Sequence, residues 1–170
     1  MPFAVKGGGH ATNPGFSSTS GVHISMTRFN EIVISKDSQT VEIGAGLTWT
    51  DVYAYLVPKG FNVVGGRLNG VGVAGFILGG GGCRSCLETG SFIIKTETYT
   101  RLAGYSWKTN EHGLTIDSVT KFHLVSPNGT EIAVTEENED LWFALKVCLN
   151  NGDRGRLTVD TYYREDLITT

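Results

Sequence analysis

Lys6-Gly7-Gly8-Gly9-His10-Ala11 places three bare residues and an imidazole directly after the apolar run Pro2-Phe3-Ala4-Val5. A short strand that ends in consecutive glycines lets successive backbone N–H groups turn toward one anion, because no Cβ holds it off. His10 then stands beside whatever the turn holds. A second bare run, Gly72-Val73-Ala74-Gly75-Phe76-Ile77-Leu78-Gly79-Gly80-Gly81, follows another β-like stretch. Two such loops suit a diphosphate gripped from both sides, whereas an ordinary tight turn accounts for either loop alone. No Gly-Lys-Ser/Thr follows either loop, which excludes the phosphate loop of nucleotide hydrolases. Gly72 to Gly79 also lacks the evident helix start and suitably placed acidic residue of a dinucleotide fingerprint.

The elements that must position these loops follow from local pattern. Residues 21–26 alternate apolar and polar and read as a strand. Ile32-Val33-Ile34-Ser35 and Thr40-Val41-Glu42-Ile43 flank Lys36-Asp37-Ser38-Gln39 as a hairpin. Thr48 is placed to N-cap a helix over residues 49–56 that ends near Pro58-Lys59-Gly60, with Val52, Tyr55 and Leu56 on one face. Residues 119–125 and 131–134 flank Ser126-Pro127-Asn128-Gly129, and Asn-Gly between two alternating runs is a strong hairpin signal. Residues 140–146 read as a short helix, and Trp49, Tyr53 and Tyr55 are expected in the core. Hairpins with a few helices make the fold class α+β.

At 170 residues the chain has room for one domain with a real core. A net charge of −3 leaves no basic footprint, so nucleic acid is not an expected partner. The 23 glycines show no collagen-like period and suit a loop-rich site. No apolar run approaches the roughly 18 residues of a membrane span. Met1 leads straight into the first strand without a leader pattern, so neither a membrane nor a signal peptide is expected, and localisation is not assigned. Cys83-Arg84-Ser85-Cys86 has CxxC spacing, but a zinc site wants four ligands and no matching pair exists, so no metal is expected. Asn128-Gly129-Thr130 is a glycosylation sequon at a hairpin tip, usable only in a secreted protein.

Taken together, residues 6–25, 41–56, 60–81, 105–134 and 138–146 resemble, in the same order, segments of FAD-linked oxidases of the vanillyl-alcohol oxidase and p-cresol methylhydroxylase superfamily. The nearest likeness is to the fungal branch of the berberine-bridge-enzyme-like oxidases. The resemblance implies an α+β FAD-binding domain of the p-cresol methylhydroxylase type over residues 1–146, truncated at both ends. It implies that Gly7, Gly8 and Gly9, with Ala11, receive the FAD diphosphate from one side and Gly72, Val73 and Gly75 from the other. Tyr105 and Ser106 would continue the flavin-binding loop, and Asp117 matches the segment that passes beside the flavin; read alone, it caps a turn. His10 matches the histidine to which the flavin 8α-methyl is covalently attached, although a lone histidine after a turn is more often solvated or packed. Lys6 would add charge near the phosphates, or stay solvated. Leu68 stands where bi-covalent members carry a cysteine, so a second bond is excluded. Phe76 stands where plant relatives often carry an active-site histidine, and that role does not transfer.

Two stretches depart from the family pattern: a 23-residue insertion, 82–104, and the tail 147–170. Codons for Val147-Cys148 and Ala103-Gly104 are compatible with splice sites, which fits a retained intron and a second one read into; a genuine lid loop and a divergent tail are the competing reading. All three cysteines, Cys83, Cys86 and Cys148, lie in these stretches. The activity implied is hydride transfer from an alcohol, sugar or amine-bearing carbon to FAD and then to dioxygen. Small-molecule substrate and dioxygen would be the full-length protein's partners, and no catalytic base is readable. The alternative is a non-catalytic fragment unable to hold FAD, with its first strands and a later FAD strand lost.

Overall fold

The computed structural model describes residues 2–10, 18–78, 106–126, 128–147 and 158–164. Strand β1 (Phe3–Lys6) pairs in parallel with β2 (Val22–Ser25), Phe3 opposite Val22 and Lys6 opposite Ser25. The Met26 N–H donates to the Lys6 carbonyl at 3.0 Å, so the ladder holds to the last residue before the first glycine run.

Five further strands form the second sheet: β3 (Ile32–Ile34), β4 (Thr40–Ile43), β5 (Val119–Val125), β6 (Glu131–Val134) and β7 (Thr158–Arg164). Their order is β3-β4-β7-β5-β6, antiparallel throughout. Both expected hairpins are present. The tail expected to diverge supplies β7, at the centre of the sheet: Val41 lies opposite Tyr163, and Phe122 opposite Thr161. Thr158-Val159-Asp160-Thr161-Tyr162-Tyr163-Arg164 is rich in β-branched and aromatic residues, the composition that a pleated surface favours.

Helix α1 (Trp49–Leu56) begins at a capping box. Thr48, in extended conformation, accepts the Asp51 N–H on its hydroxyl, and the Asp51 carboxylate accepts the Thr48 N–H at 3.0 Å. A 3-10 turn (Val57–Lys59) then closes at Gly60, whose φ of 79° falls where a side chain would strain the backbone. Helix α2 (Val73–Leu78), helix α3 (Thr109–His112), a 3-10 turn (Thr115–Ser118) and helix α4 (Glu139–Val147) complete the described elements.

One apolar cluster joins them. Trp49, Val52 and Leu56 of α1 meet Val73 and Ile77 of α2, Val41 and Ile43 of β4, Phe122 of β5 and Trp142 of α4. Trp49 is fully buried; its indole lies against Gly66, where an ideal Cβ would stand 2.5 Å from Cδ1, and the Phe76 ring meets it edge-on at 5.5 Å. Burying such a ring contributes about 2 to 3 kcal/mol. Tyr55 is not in the core. The buried stripe of α1 runs through Trp49, Val52, Tyr53 and Leu56, leaving Tyr55 beyond its edge, 40% exposed and covered by the Lys59 ammonium.

The β5–β6 hairpin tip is solvent-exposed at Asn128, Gly129 and Thr130, with the Asn128 Oδ1 accepting the Thr130 N–H at 2.9 Å. Among the described residues no helix is long and apolar enough to cross a membrane.

Candidate cofactor-binding site

The two glycine runs meet. Residues 47–49 and 71–73 pair as a short antiparallel bridge: the Trp49 N–H donates to the Val71 carbonyl at 2.9 Å, the Val73 N–H donates to the Leu47 carbonyl at 2.9 Å, and Thr48 faces Gly72. This carries Gly72 onto the end of β1. An ideal Cβ on Gly8 would lie 2.5 Å from Gly72 Cα and 2.6 Å from its nitrogen; one on Gly72 would lie 2.5 Å from the Gly8 nitrogen. Both positions are bare because each main chain occupies the other's side-chain space. The two glycine loops therefore meet in a joined seam.

On one side of that seam, Gly7 has only ordinary contacts, its Cβ position 3.6 Å from the Ala45 carbonyl oxygen. Gly9 is exposed with φ +68°, and its Cβ position lies 2.6 Å from Lys6 Cε and 3.6 Å from Lys6 Nζ. The Lys6 stem thus folds across Gly9 and sets its ammonium beside the loop. His10 follows, exposed. Ala11 lies outside the described residues.

On the other side, the Val73 N–H is taken by Leu47 and its side chain is fully buried, so Val73 anchors the loop. The next two N–H groups, of Ala74 and Gly75, belong to the first turn of α2, where no intrahelical carbonyl can receive them. Gly75 is exposed, with no atom of the described residues within 4 Å of its Cβ position. No helix start was evident here because Gly72 and Gly75 are poor helix formers; the signal present was Val73 and Ile77, four apart and both buried.

The segment from residue 106 onward reaches the same neighbourhood. Ser106 is buried and donates its N–H to Thr109 Oγ1 at 2.7 Å, fixing the entry to α3. Beside it, Trp107 is 82% exposed, with the Arg67 guanidinium carbon 5.3 Å from its ring centroid. Arg67, in the loop before the second glycine run, carried no sequence signal. The Thr115–Ser118 turn packs against α2. Within it, exposed Asp117 accepts the Leu114 N–H at 2.8 Å and covers Gly113, whose φ is +80°. Asp117 thus caps a turn. Tyr105, Gly79 to Gly81, residues 82–104 with the insertion expected there, and the three cysteines lie outside the described residues.

Bare main chain therefore runs along both flanks of the Gly8–Gly72 contact, with the Lys6 cation beside it. No acidic side chain occurs in residues 6–10 or 70–78. Such a surface fits an extended anion such as a diphosphate, laid along the seam rather than between jaws.

An FAD binding domain profile matches residues 1–98. An FAD-dependent monooxygenase of Penicillium terrestre is 44% identical over 152 residues, which is 88% of this chain and 25% of that protein. The chain thus spans a quarter of the length of that curated relative. Physcomitrella patens BBE-like 1 superposes with a TM-score of 0.71 at 23% identity, covering 95% of this chain and 30% of its own. A glucooligosaccharide oxidase from Acremonium strictum, described for its 6-S-cysteinyl, 8α-N1-histidyl FAD, superposes with a TM-score of 0.69 at 23% identity, covering 96% and 29%.

Proposed function

Because the chain belongs to the FAD binding domain family and has the α+β fold of its p-cresol methylhydroxylase type, we propose that it is the cofactor-holding part of an FAD-dependent oxidoreductase. The observation that carries this reading is the seam itself. Gly8 and Gly72 lock two bare loops together, and the main chain beside them is open to an anion on both flanks. Gly7 and Gly9 would face the FAD diphosphate from one loop and the N–H groups of Ala74 and Gly75 from the other, with the Lys6 ammonium lowering the cost of the negative charge. Ser106 and Asp117 shape the flank by holding the turns around α3 and before β5.

His10 is the residue we assign to covalent attachment. It is exposed at the end of the first loop, so its ring is free to meet a flavin. Histidyl attachment is what the Acremonium oxidase is described for. No cysteine stands in the second loop, where Leu68 is 49% exposed, so attachment would be single.

FAD, when bound, supplies hydride acceptance from an alcohol, sugar or amine-bearing carbon and passes the electrons to dioxygen. This chain's part is to bind and orient it. The monooxygenase activity of the Penicillium relative supports a second reading, in which one oxygen atom enters the product. Peroxide yield per substrate oxidised by the full-length protein separates the two: near one for the oxidase, well below it for the monooxygenase. The alternative of a non-catalytic fragment unable to hold FAD is not favoured, because the FAD binding domain family covers residues 1–98 and the Penicillium relative is FAD-dependent.

The test is to purify the 170-residue chain with FAD and precipitate it in acid. Yellow protein whose flavin fluorescence stays with the pellet, and disappears in His10→Ala, is the result expected. A colourless chain with no measurable FAD affinity overturns the proposal.

A further inference from the structure

Thr50 is the second residue of α1, exposed and outside the core stripe. Its hydroxyl donates to Asn69 Oδ1 at 2.6 Å and accepts the Gly70 N–H at 3.2 Å. Neither bond serves its own helix. The capping of α1 is done by Thr48, whose hydroxyl is committed to Asp51. A hydroxyl has one proton to give, and Thr50 gives it to a residue 19 positions away in the chain.

The place it reaches matters. Gly70 has φ +77°, and its carbonyl oxygen lies 3.4 Å from the Cβ position of Gly8, so it borders the seam directly. Two further ties between the segments, from Trp49 to Val71 and from Val73 to Leu47, are main-chain bonds that almost any sequence would supply. Thr50 and Asn69 add a side-chain tie. The contact it holds in register leaves no room for a Cβ on either Gly8 or Gly72, so a swing of residues 69–72 would open the seam.

We propose that Thr50 is a positioning residue that sets where the second glycine loop meets the first, and through that contact how tightly the seam holds the FAD diphosphate; this rests on the reading of the site given above. It touches no cofactor atom itself. Its effect on flavin is carried by Gly70 and Gly72.

The experiment compares Thr50→Val, Thr50→Ser and Asn69→Ala in the full chain. Hydrogen exchange at the Gly70 amide is read without flavin, and FAD affinity is read in a His10→Ala background so that attachment does not mask it. Thr50→Val should speed Gly70 exchange and weaken FAD binding roughly fivefold, the effect of losing about one net hydrogen bond. Thr50→Ser should restore both, and Asn69→Ala should lie between. Unchanged Gly70 exchange in Thr50→Val overturns the proposal, as does faster exchange with FAD affinity unmoved. A parent chain that binds no FAD, while Gly70 still responds to Thr50→Val, marks instead the failure of the site reading, and the proposal falls with it.

Discussion

Gly8 and Gly72 press main chain against main chain, each filling the space in which the other's Cβ would stand, 2.5 Å from the nearest backbone atom. Neither backbone can retreat cheaply. Gly8 follows a strand paired by β2, and Gly72 sits in the bridge to residues 47–49. Gly8→Ala and Gly72→Ala should therefore each destabilise the fold by about 1 to 3 kcal/mol, the range for forcing atoms into filled space. Urea unfolding measures this directly, and a loss below about half a kcal/mol in both variants would show that the loops do not meet as described.

Gly75 gives the contrasting case within the same run. No described residue lies within 4 Å of its Cβ position, and alanine in a helix is favoured over glycine by roughly 1 kcal/mol. Gly75→Ala should leave stability equal or slightly raised, while lowering FAD affinity if the diphosphate lies on that flank. Paired unfolding and flavin titration separate the two effects.

The contrast shows what was legible before the fold was known. The glycines are legible as an anion loop, but that Gly8 is bare for the sake of Gly72, and Gly75 for no neighbour among the described residues, depends on a contact 64 positions apart, which no local pattern encodes. The capping of α1 was legible because Thr48 and Asp51 lie within one turn. Tyr55 was misplaced because the helix phase is set by where Trp49 buries itself, and spacing from Val52 alone leaves that phase open. Strand β7 is legible in its threonines, valine and tyrosines, but the tail that carries it departs from the family pattern, which therefore gives no guide to it.

His10 offers a test that leaves the fold alone. It is exposed, so His10→Ala should change unfolding free energy by no more than about 0.5 kcal/mol. Covalently held flavin should be lost entirely. Mass spectrometry of the digested chain should find one flavin adduct, on the peptide containing His10, and none on the peptide containing Leu68.

Acid should loosen the start of α1. The Asp51 carboxyl is held below its ordinary value of 3.8, first by the Thr48 hydroxyl and then by the Thr48 N–H, both of which donate to the ionised form. A folded-state value below the unfolded one contributes stability that is present above pH 3.8 and is lost as pH falls through the lower value. Asp37, lowered chiefly by the Ser35 hydroxyl, acts in the same direction. Thr48→Val should cost about 1 kcal/mol at neutral pH and should flatten the acid limb, because the main donor to Asp51 is gone. Unfolding midpoints measured above and below pH 3.8 decide it; an equally steep limb in the variant would assign the acid sensitivity elsewhere.

Asp117 separates two roles that the sequence left side by side. Its carboxylate receives the Leu114 N–H at 2.8 Å and stands 2.9 Å from the Cβ position of Gly113. Asparagine keeps an oxygen for that N–H but removes the charge, whereas alanine removes both. A capping role predicts that Asp117→Ala loses about 1 kcal/mol of stability and that Asp117→Asn recovers most of it, with the visible spectrum of the bound flavin unmoved in either. A side chain that faced the flavin would behave in the opposite way, since losing its charge in Asp117→Asn would shift the flavin spectrum or potential while the fold held. Because the turn packs against α2, the alanine variant should also weaken FAD binding in proportion to its loss of stability. A flavin shift in the asparagine variant alone would move Asp117 from the frame of the site into the site itself.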